Sequence, residues 1–327
     1  KLPPTFLEKY MAANWMRRTI MVAACASAAL LAACGSSTTE SAISPQRFIA
    51  FGDAMNDVGQ NGSRYTVNDG SVNNWTLQVV ANYGKSLTPV SAGGLSYATG
   101  NARVSAKPDA AGNASTRTVT EQIDAFLASG SFAATDVVMV SGGVSDVIAG
   151  MAAVNAGTLT QDAMVAAARK AGEDLAAQVR RLVTAGAKYV VVTGTYDLSK
   201  TPWAKAIGRE ALLSNASSRF NEGLLVGIVD LGANVLYVDS AYYVNLYTSV
   251  PGNYGFNNST AAVCTSVDAN NGIGIGAGQV NSALCTSSTL LSGANATSFV
   301  FADSVYLTPS AQRQFGTYAY DRLRARW

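Results

Sequence analysis

Short apolar runs alternate with longer stretches of helical periodicity along most of this chain. Four of the runs predict strands, because each is mostly apolar after a polar first residue and three of them stop at a serine or glycine. These predicted strands are Arg47 to Phe51, Asp136 to Val140, Lys188 to Thr193 and Asn234 to Val238.

Between the strands, apolar residues recur at three- and four-residue spacing, which predicts helices. The predicted helices run over 75–83, 118–128, 161–185 and 212–231, with a last helix from Pro309 to about Leu323 that Thr308 caps. Strands and helices that alternate at this spacing predict an α/β fold, a three-layer α/β/α sandwich with a mostly parallel central sheet. We expect one domain over 47–327, with a loop-rich insertion at about 249–297.

The first 46 residues have the pattern of a targeting segment. Arg17 and Arg18 precede a short apolar run that ends in Leu31-Ala-Ala-Cys34, which is typical of a bacterial lipobox. We therefore predict a signal peptide over 1–33, with an over-long start before Met16, and a lipidated tether over 34–46 that begins at Cys34. The alternative is an ordinary signal peptide with a chance cysteine. The first prediction implies an exported bacterial lipoprotein held to the membrane by its N-terminal lipid, on the outer membrane or elsewhere in the periplasm and cell envelope.

The amino-acid composition excludes several kinds of binding site and catalytic group. The chain of 327 residues has a formal net charge of +2 and no basic stripe, so nucleic acid is not an expected partner. Histidine is absent, which removes the usual general base and the commonest metal ligand. The glycine-rich segment 272–278 lacks the lysine and serine of a phosphate-binding loop. We expect no metal and no cofactor.

Two cysteines remain beyond the lipobox, Cys264 and Cys285, each in a small polar setting. In an exported protein they predict a structural disulfide that closes the loop between them, with two free thiols as the alternative.

The first predicted strand leads directly into the turn Gly52-Asp-Ala-Met-Asn-Asp57. The carboxyl end of a strand is where α/β proteins place ligands and catalysis. The stretch resembles the first motif of the GDSL (SGNH) ester hydrolases, Phe-Gly-Asp-Ser-Leu-x-Asp. The resemblance implies that the nucleophilic serine of the family falls at Ala54, which has no atom that can attack an ester.

Three further blocks carry the same resemblance through to the C-terminus. The segments Tyr196 to Pro202 and Val238 to Phe256 also resemble linking segments of the lecithinase-like branch of the family. Gly94 to Arg103 resembles the second block, and its backbone oxyanion-hole donor would be Gly100. Gly142-Gly-Val-Ser-Asp146 resembles Gly-Gly-x-Asn-Asp, so that Ser145 replaces the oxyanion-hole asparagine. Asp303-Ser-Val-Tyr-Leu-Thr308 resembles the last block, which implies that Asp303 is the retained triad acid and that Tyr306 takes the place of the general-base histidine.

Ester cleavage of this type needs a nucleophile, a base aimed by a carboxylate, and oxyanion donors. Two functions follow. The first is a pseudoenzyme whose cleft binds an acyl ester, a lipid or a partner without turnover. The alternative is an esterase or lipase with an unorthodox site, for example with Asp53 or Asp57 as a carboxylate nucleophile. We expect instead that Asp53 and Asp57 bind backbone N–H groups, that Asp146 acts in a turn or cap, and that Asp303 accepts a bond from the Tyr306 hydroxyl or a backbone amide. The sequence leaves the ligand and the oligomeric state open.

Overall fold

The central sheet of this protein, seen in a computed structural model that describes residues 43–327, consists of four parallel strands. They lie in the order β1–β2–β3–β4 and are Phe48–Phe51, Val137–Ser141, Tyr189–Thr193 and Val235–Tyr237. Phe48 pairs with Val137, and Val137 pairs with Tyr189, so the carboxyl ends of the strands are level. All residues of β1 and β2 are buried, which explains why they are apolar up to Ser141 at the end of β2.

The sheet continues beyond β1 through a single bridge between Ala50 and Ser96. The Ala50 N–H donates to Leu95 O at 3.1 Å, and the Tyr97 N–H donates to Ala50 O at 2.7 Å. The chain therefore passes first to one side of β1 and then to the other, where β2 lies. Such a reversal opens a crevice at the carboxyl ends of the two strands.

Eight α-helices surround the sheet within the described residues. They are α1 Trp75–Asn82, α2 Val119–Ser129, α3 Val144–Asn155, α4 Gln161–Thr184, α5 Pro202–Ile207, α6 Glu210–Ile228, α7 Ser240–Ser249 and α8 Pro309–Arg326. Helix α4 packs along α6 and also touches α2 and α3, while α1 and α7 pack on α8. The predicted α/β/α sandwich with a parallel sheet is confirmed.

Helices α3, α5 and α7 were not predicted from the sequence. In α3, the buried residues Val144, Val147, Ile148 and Met151 have helical spacing, so the pattern was present. The short α5 depends on Thr201, whose side chain caps it, and on Pro202 at its first position.

The insertion before the last helix contains short strands and short 3-10 helices between its loops. The strands are β5 Asn258–Ala262, β6 Val267–Asp268 and β7 Gln279–Val280, and β8 Phe299–Phe301 follows them and pairs with β5. Cys264 and Cys285 form a disulfide with a Cα–Cα distance of 5.9 Å, as predicted. The disulfide closes the loop that carries the glycine-rich segment.

The predicted signal peptide and the lipidation site Cys34 lie outside the described residues. Only the end of the predicted tether is described, and there Ile43 is 9% exposed and packs into the hydrophobic core. The folded part therefore begins before Arg47. Within residues 43–327, no helix has both the length and the apolar character needed to cross a membrane.

Candidate functional site

The turn after β1 is held in place by its backbone. Gly52 has a φ of +144°, and a Cβ there would lie 2.4 Å from the Ser141 hydroxyl, so only glycine fits. The buried side chain of Gln122, on α2, binds both polar groups of Gly52: its Oε1 accepts from the Gly52 N–H at 2.8 Å and its Nε2 donates to Gly52 O at 3.0 Å. The turn is therefore fixed between β1, β2 and α2.

Asp53 is buried at the first position of this turn. Its Oδ1 accepts bonds from the Met55 N–H at 3.1 Å and from the Ser141 hydroxyl at 3.0 Å. Its Oδ2 has no partner among the described residues. Burial raises the pKa of the Asp53 carboxyl above its usual value, and these hydrogen bonds oppose the shift only in part.

Asp57 ends the turn and binds three backbone N–H groups. Its Oδ1 accepts from Gly59 and Gln60, each at 2.8 Å, and its Oδ2 accepts from Gly100 at 2.8 Å. The Gly100 N–H, which the family resemblance makes an oxyanion-hole donor, is thus already bonded to a carboxylate. Asn101, the next residue, has a φ of +63°.

Asp303 also binds the backbone. Its Oδ1 accepts from the N–H groups of Val305 at 2.7 Å and Tyr306 at 2.6 Å, and its Oδ2 accepts from Ser282 at 3.0 Å. Of the two partners expected for it, the structure contains backbone amides and not the Tyr306 hydroxyl. Burial raises the pKa of Asp303.

The three positions that should carry out the chemistry are buried. Ala54 is 2% exposed, and Ser145 and Tyr306 are 0% exposed. The Ser145 and Tyr306 hydroxyls have no hydrogen-bond partner among the described residues. Burial, with the nearby Asp53 as the leading charge, raises the pKa of Tyr306 well above its usual value, so this phenol stays protonated.

A ring from the 60–73 loop packs beside one of these positions, Tyr306. Atoms of the Tyr65 ring lie about 2 Å from where a Cβ of Gly100 would be (1.9 Å to Cε2), so the ring rests on the bare glycine backbone. The Tyr65 ring also meets the Tyr306 ring edge-on at 5.2 Å between centroids. None of five cavities of about 260 to 800 Å³ in the described part of the chain is lined by Ala54, Ser145 or Tyr306. The site is closed.

Asp146 lies one residue after Ser145 and faces away from the turn, toward another segment. Its Oδ2 accepts from the Val104 N–H at 3.1 Å, and its Oδ1 lies 3.5 Å from Arg103 Nε. Burial raises the pKa of the Asp146 carboxyl to about 6, while Arg103 acts in the opposite direction. Asp146 is therefore neither the turn residue nor the cap expected from the sequence: it lies in the first turn of α3 and stabilises the backbone of the second block.

Comparison with known proteins decides the family. The sequence model described as GDSL-like Lipase/Acylhydrolase matches residues 48–318. The chain belongs to this family. One solved crystal structure is similar over 86% of this chain and 98% of its own, at 16% identity and a TM-score of 0.45, which is too distant to support any argument. No curated protein matches the chain.

The match to the GDSL family spans all four blocks and every predicted site residue of the folded part. The fold brings the first, third and last blocks to the same end of the sheet, where Asp53 follows β1 and Ser145 follows β2. Within residues 43–327, no group of three or more histidine, cysteine, aspartate or glutamate side chains is placed to hold a metal ion.

Two residues of this GDSL site were not found from the sequence. Gln122 is one of several polar residues on an amphipathic helix. It is completely buried, and the sequence pattern does not distinguish it from the exposed polar residues of the same helix. Tyr65 lies in a polar loop without periodicity, where nothing indicates which group its ring will contact.

Proposed function

We propose that this protein is a catalytically impaired member of the GDSL family, a lipid-anchored envelope protein that binds an acyl ester, a lipid or a partner without turning it over. One observation carries the proposal. The nucleophile position holds a buried alanine, and the base position holds a buried phenol that stays protonated.

The expected losses in kcat support this proposal over residual catalysis. In a comparable triad, loss of either the nucleophile or the base costs on the order of 10⁶ in kcat. Loss of one oxyanion donor costs a further 10²–10³ or so. Here the Ser145 side chain is shorter than the family's asparagine, and the Gly100 N–H is bonded to Asp57.

The alternative is an ester hydrolase with an unorthodox site, which membership of the family favours. The candidate nucleophile would be Asp53, whose Oδ2 has no partner within the described residues. A carboxylate attack would need the substrate carbonyl to reach a group that is 1% exposed beneath the turn.

Purified protein treated with a short-chain nitrophenyl ester and a fluorophosphonate probe separates the two functions. We expect no turnover or labelling above that of an Ala54→Gly control. Turnover that an Asp53→Asn variant abolishes while it remains folded would establish the alternative.

A triple variant that restores the family's serine, asparagine and histidine tests whether their replacement accounts for the proposed lack of activity. Asp303 has used three of its roughly four acceptor positions, which leaves one on Oδ2 for an imidazole N–H. We expect Ala54→Ser, Ser145→Asn and Tyr306→His together to give measurable esterase activity. A folded triple variant that stays inert would contradict the assignment of these positions.

The anchor has its own test. The Arg17-Arg18 pair, the apolar run and Cys34 support lipidation. We expect Cys34→Ala to move the protein from the membrane fraction to the soluble fraction of the envelope. Unchanged membrane retention would count against the lipid anchor.

A further inference from the structure

Several buried side-chain oxygens at the closed site lack hydrogen-bond partners among the described residues, and three of them are Asp53 Oδ2, Ser145 Oγ and Tyr306 Oη; Asn101 Oδ1 and Ser282 Oγ are two others. Asp53, Ser145 and Tyr306 are 1%, 0% and 0% exposed. A buried polar group without a partner costs about 1–3 kcal/mol, so three at one place are not expected unless something binds them. We call these three oxygens the polar cluster.

The members of the polar cluster belong to one place in the fold. Asp53 follows β1, and Ser145 lies in the first turn of the helix after the adjacent strand β2. The Ser141 hydroxyl, at the end of β2, already bonds to the other Asp53 oxygen at 3.0 Å. Asp53 is also the charged group that acts most strongly on the Tyr306 phenol.

The chemistry of the cluster defines what it can bind. Two of its members are hydroxyls, each able to donate one bond and accept others, and the third is a carboxyl oxygen. Such a set suits a small oxygen-bearing group, such as water, an alcohol or a carboxyl head, that both donates and accepts. No lysine or arginine is bonded to Asp53, so nothing in the described residues neutralises a second charge there.

Tyr65 packs against one member of this cluster, Tyr306. Its ring packs on Gly100 and Tyr306, and the side-chain amide of Asn101 lies 3.4 Å from its hydroxyl, a long contact. The backbone of its loop is held at the next residue, Thr66, whose hydroxyl donates to Leu307 O at 2.9 Å. A rotation of the Tyr65 ring could therefore uncover the site without displacing the backbone of the loop.

We propose that the polar cluster is a binding site for the oxygen-bearing head of a small ligand, occupied by water in the resting protein and gated by the Tyr65 ring. The inference rests on the proposed function, because it assigns the head-group end of the same non-catalytic site. Its tests measure stability and binding, not hydrolysis. The binding site can therefore be disproved while the protein proves inactive, and the protein can prove active while the binding site is supported.

Two buried tyrosines provide the first test. Tyr196 and Tyr306 are both 0% exposed, but the Tyr196 hydroxyl donates to Val305 O at 2.7 Å, whereas the Tyr306 hydroxyl has no partner among the described residues. If a bound molecule bonds to Tyr306, Tyr306→Phe should lower the Tm by about as much as Tyr196→Phe does, roughly 2–4 °C. A Tm for Tyr306→Phe that is unchanged or raised overturns the site, because removal of an unbonded buried hydroxyl costs nothing.

Ser145→Ala extends this test to a second member. Two residues that share one bound molecule should show non-additive effects, so the loss in Tm for the double variant with Tyr306→Phe should be smaller than the sum of the single losses. Strictly additive losses would mean that the two hydroxyls do not share a ligand.

Hexan-1-ol and hexanoate, titrated separately, test the gate and the head group. If the closed form dominates tenfold, Tyr65→Ala should tighten the apparent Kd by up to about tenfold. The matched control is Tyr189→Ala. Tyr189 is also half-buried and packs against an aromatic ring, but it is the first residue of β3 and lies at the amino ends of the strands, away from the site. Equal affinities in Tyr65→Ala and the control, or binding that Tyr306→Phe does not weaken, would overturn the proposal.

Discussion

Two sets of residues meet at this site and differ in whether their side chains are hydrogen-bonded to the rest of the protein. The carboxylates Asp57 and Asp303 each accept three backbone N–H bonds, and Asp53 accepts one together with a serine hydroxyl. The hydroxyls of Ser145 and Tyr306, at positions that carry chemistry in the GDSL family, bond to no described residue. The first set stabilises turns through direct bonds, while the second makes no such bond to the described part of the chain.

The difference explains how a family resemblance can outlast the reaction. A carboxylate that satisfies several buried N–H groups cannot be replaced without leaving those groups unpaired, whatever becomes of the catalysis. A nucleophile or a base has no such role once substrate is no longer cleaved. The retained triad acid at 303 is therefore weak support for activity, because its backbone bonds alone would preserve it.

The largest expected effect tests this account of Asp303. Asp303→Ala leaves the N–H groups of Ser282, Val305 and Tyr306 unpaired in the core, so we expect the free energy of unfolding to fall by about 4 kcal/mol or more. Denaturant unfolding measures it. Asp239→Ala is the control, because Asp239 binds one N–H at a half-buried helix cap and should cost only about 1 kcal/mol. Equal losses in the two variants would remove the distinction between the two sets.

Much of the fold could be predicted because it depends on patterns that are local in sequence. The strands at 48–51, 137–141 and 189–193 are apolar except for a hydroxyl residue at the end of the second and third, and the long helix over 161–184 has a continuous apolar face. The disulfide followed from two cysteines in a chain with a predicted export signal. The predicted helix over 212–231 is found at Glu210–Ile228, a shift of a few residues at its ends.

The state of the site could not be predicted, because it depends on contacts between distant segments. Tyr65 covers Gly100 only because a loop of no regular pattern folds back over the second block. The Gly100 N–H bonds to Asp57, 43 residues away, and no motif indicates whether such a donor is free. The blocks predict where a site lies, but tertiary contacts decide whether it is open.

A second prediction uses the pH dependence of stability at Asp146. Its folded-state pKa of about 6 lies above the ordinary carboxyl value, so the folded protein binds the proton more tightly than the unfolded chain does. The resulting stabilisation is complete below about pH 4 and is lost as the pH rises through about 6.

Asp146→Asn should remove this dependence. The stability of the unmodified protein relative to the variant should fall by up to about 3 kcal/mol between about pH 4 and pH 7, measured by urea unfolding at each pH. A difference that stays constant would mean that the ion pair with Arg103 keeps Asp146 charged throughout. It would then belong with the carboxylates that stabilise the fold as anions.

The smallest effect comes from Asp57, which connects the two sets because one of its three bonds holds the predicted oxyanion donor. Asp57→Asn can keep the bonds to Gly59 and Gln60 through its carbonyl oxygen, but its amide cannot accept from Gly100, so we expect a loss of about 1–2 kcal/mol. In the triple-reverted protein the same change frees the Gly100 N–H for an oxyanion, and esterase activity should rise about tenfold or more, since one such donor contributes about 10²–10³ to kcat. Asp69→Asn is the control, because Asp69 lies in an exposed turn. A loss of stability without a gain in activity would mean that Gly100 serves only the fold, and the boundary between the two sets would then exclude it from the chemistry.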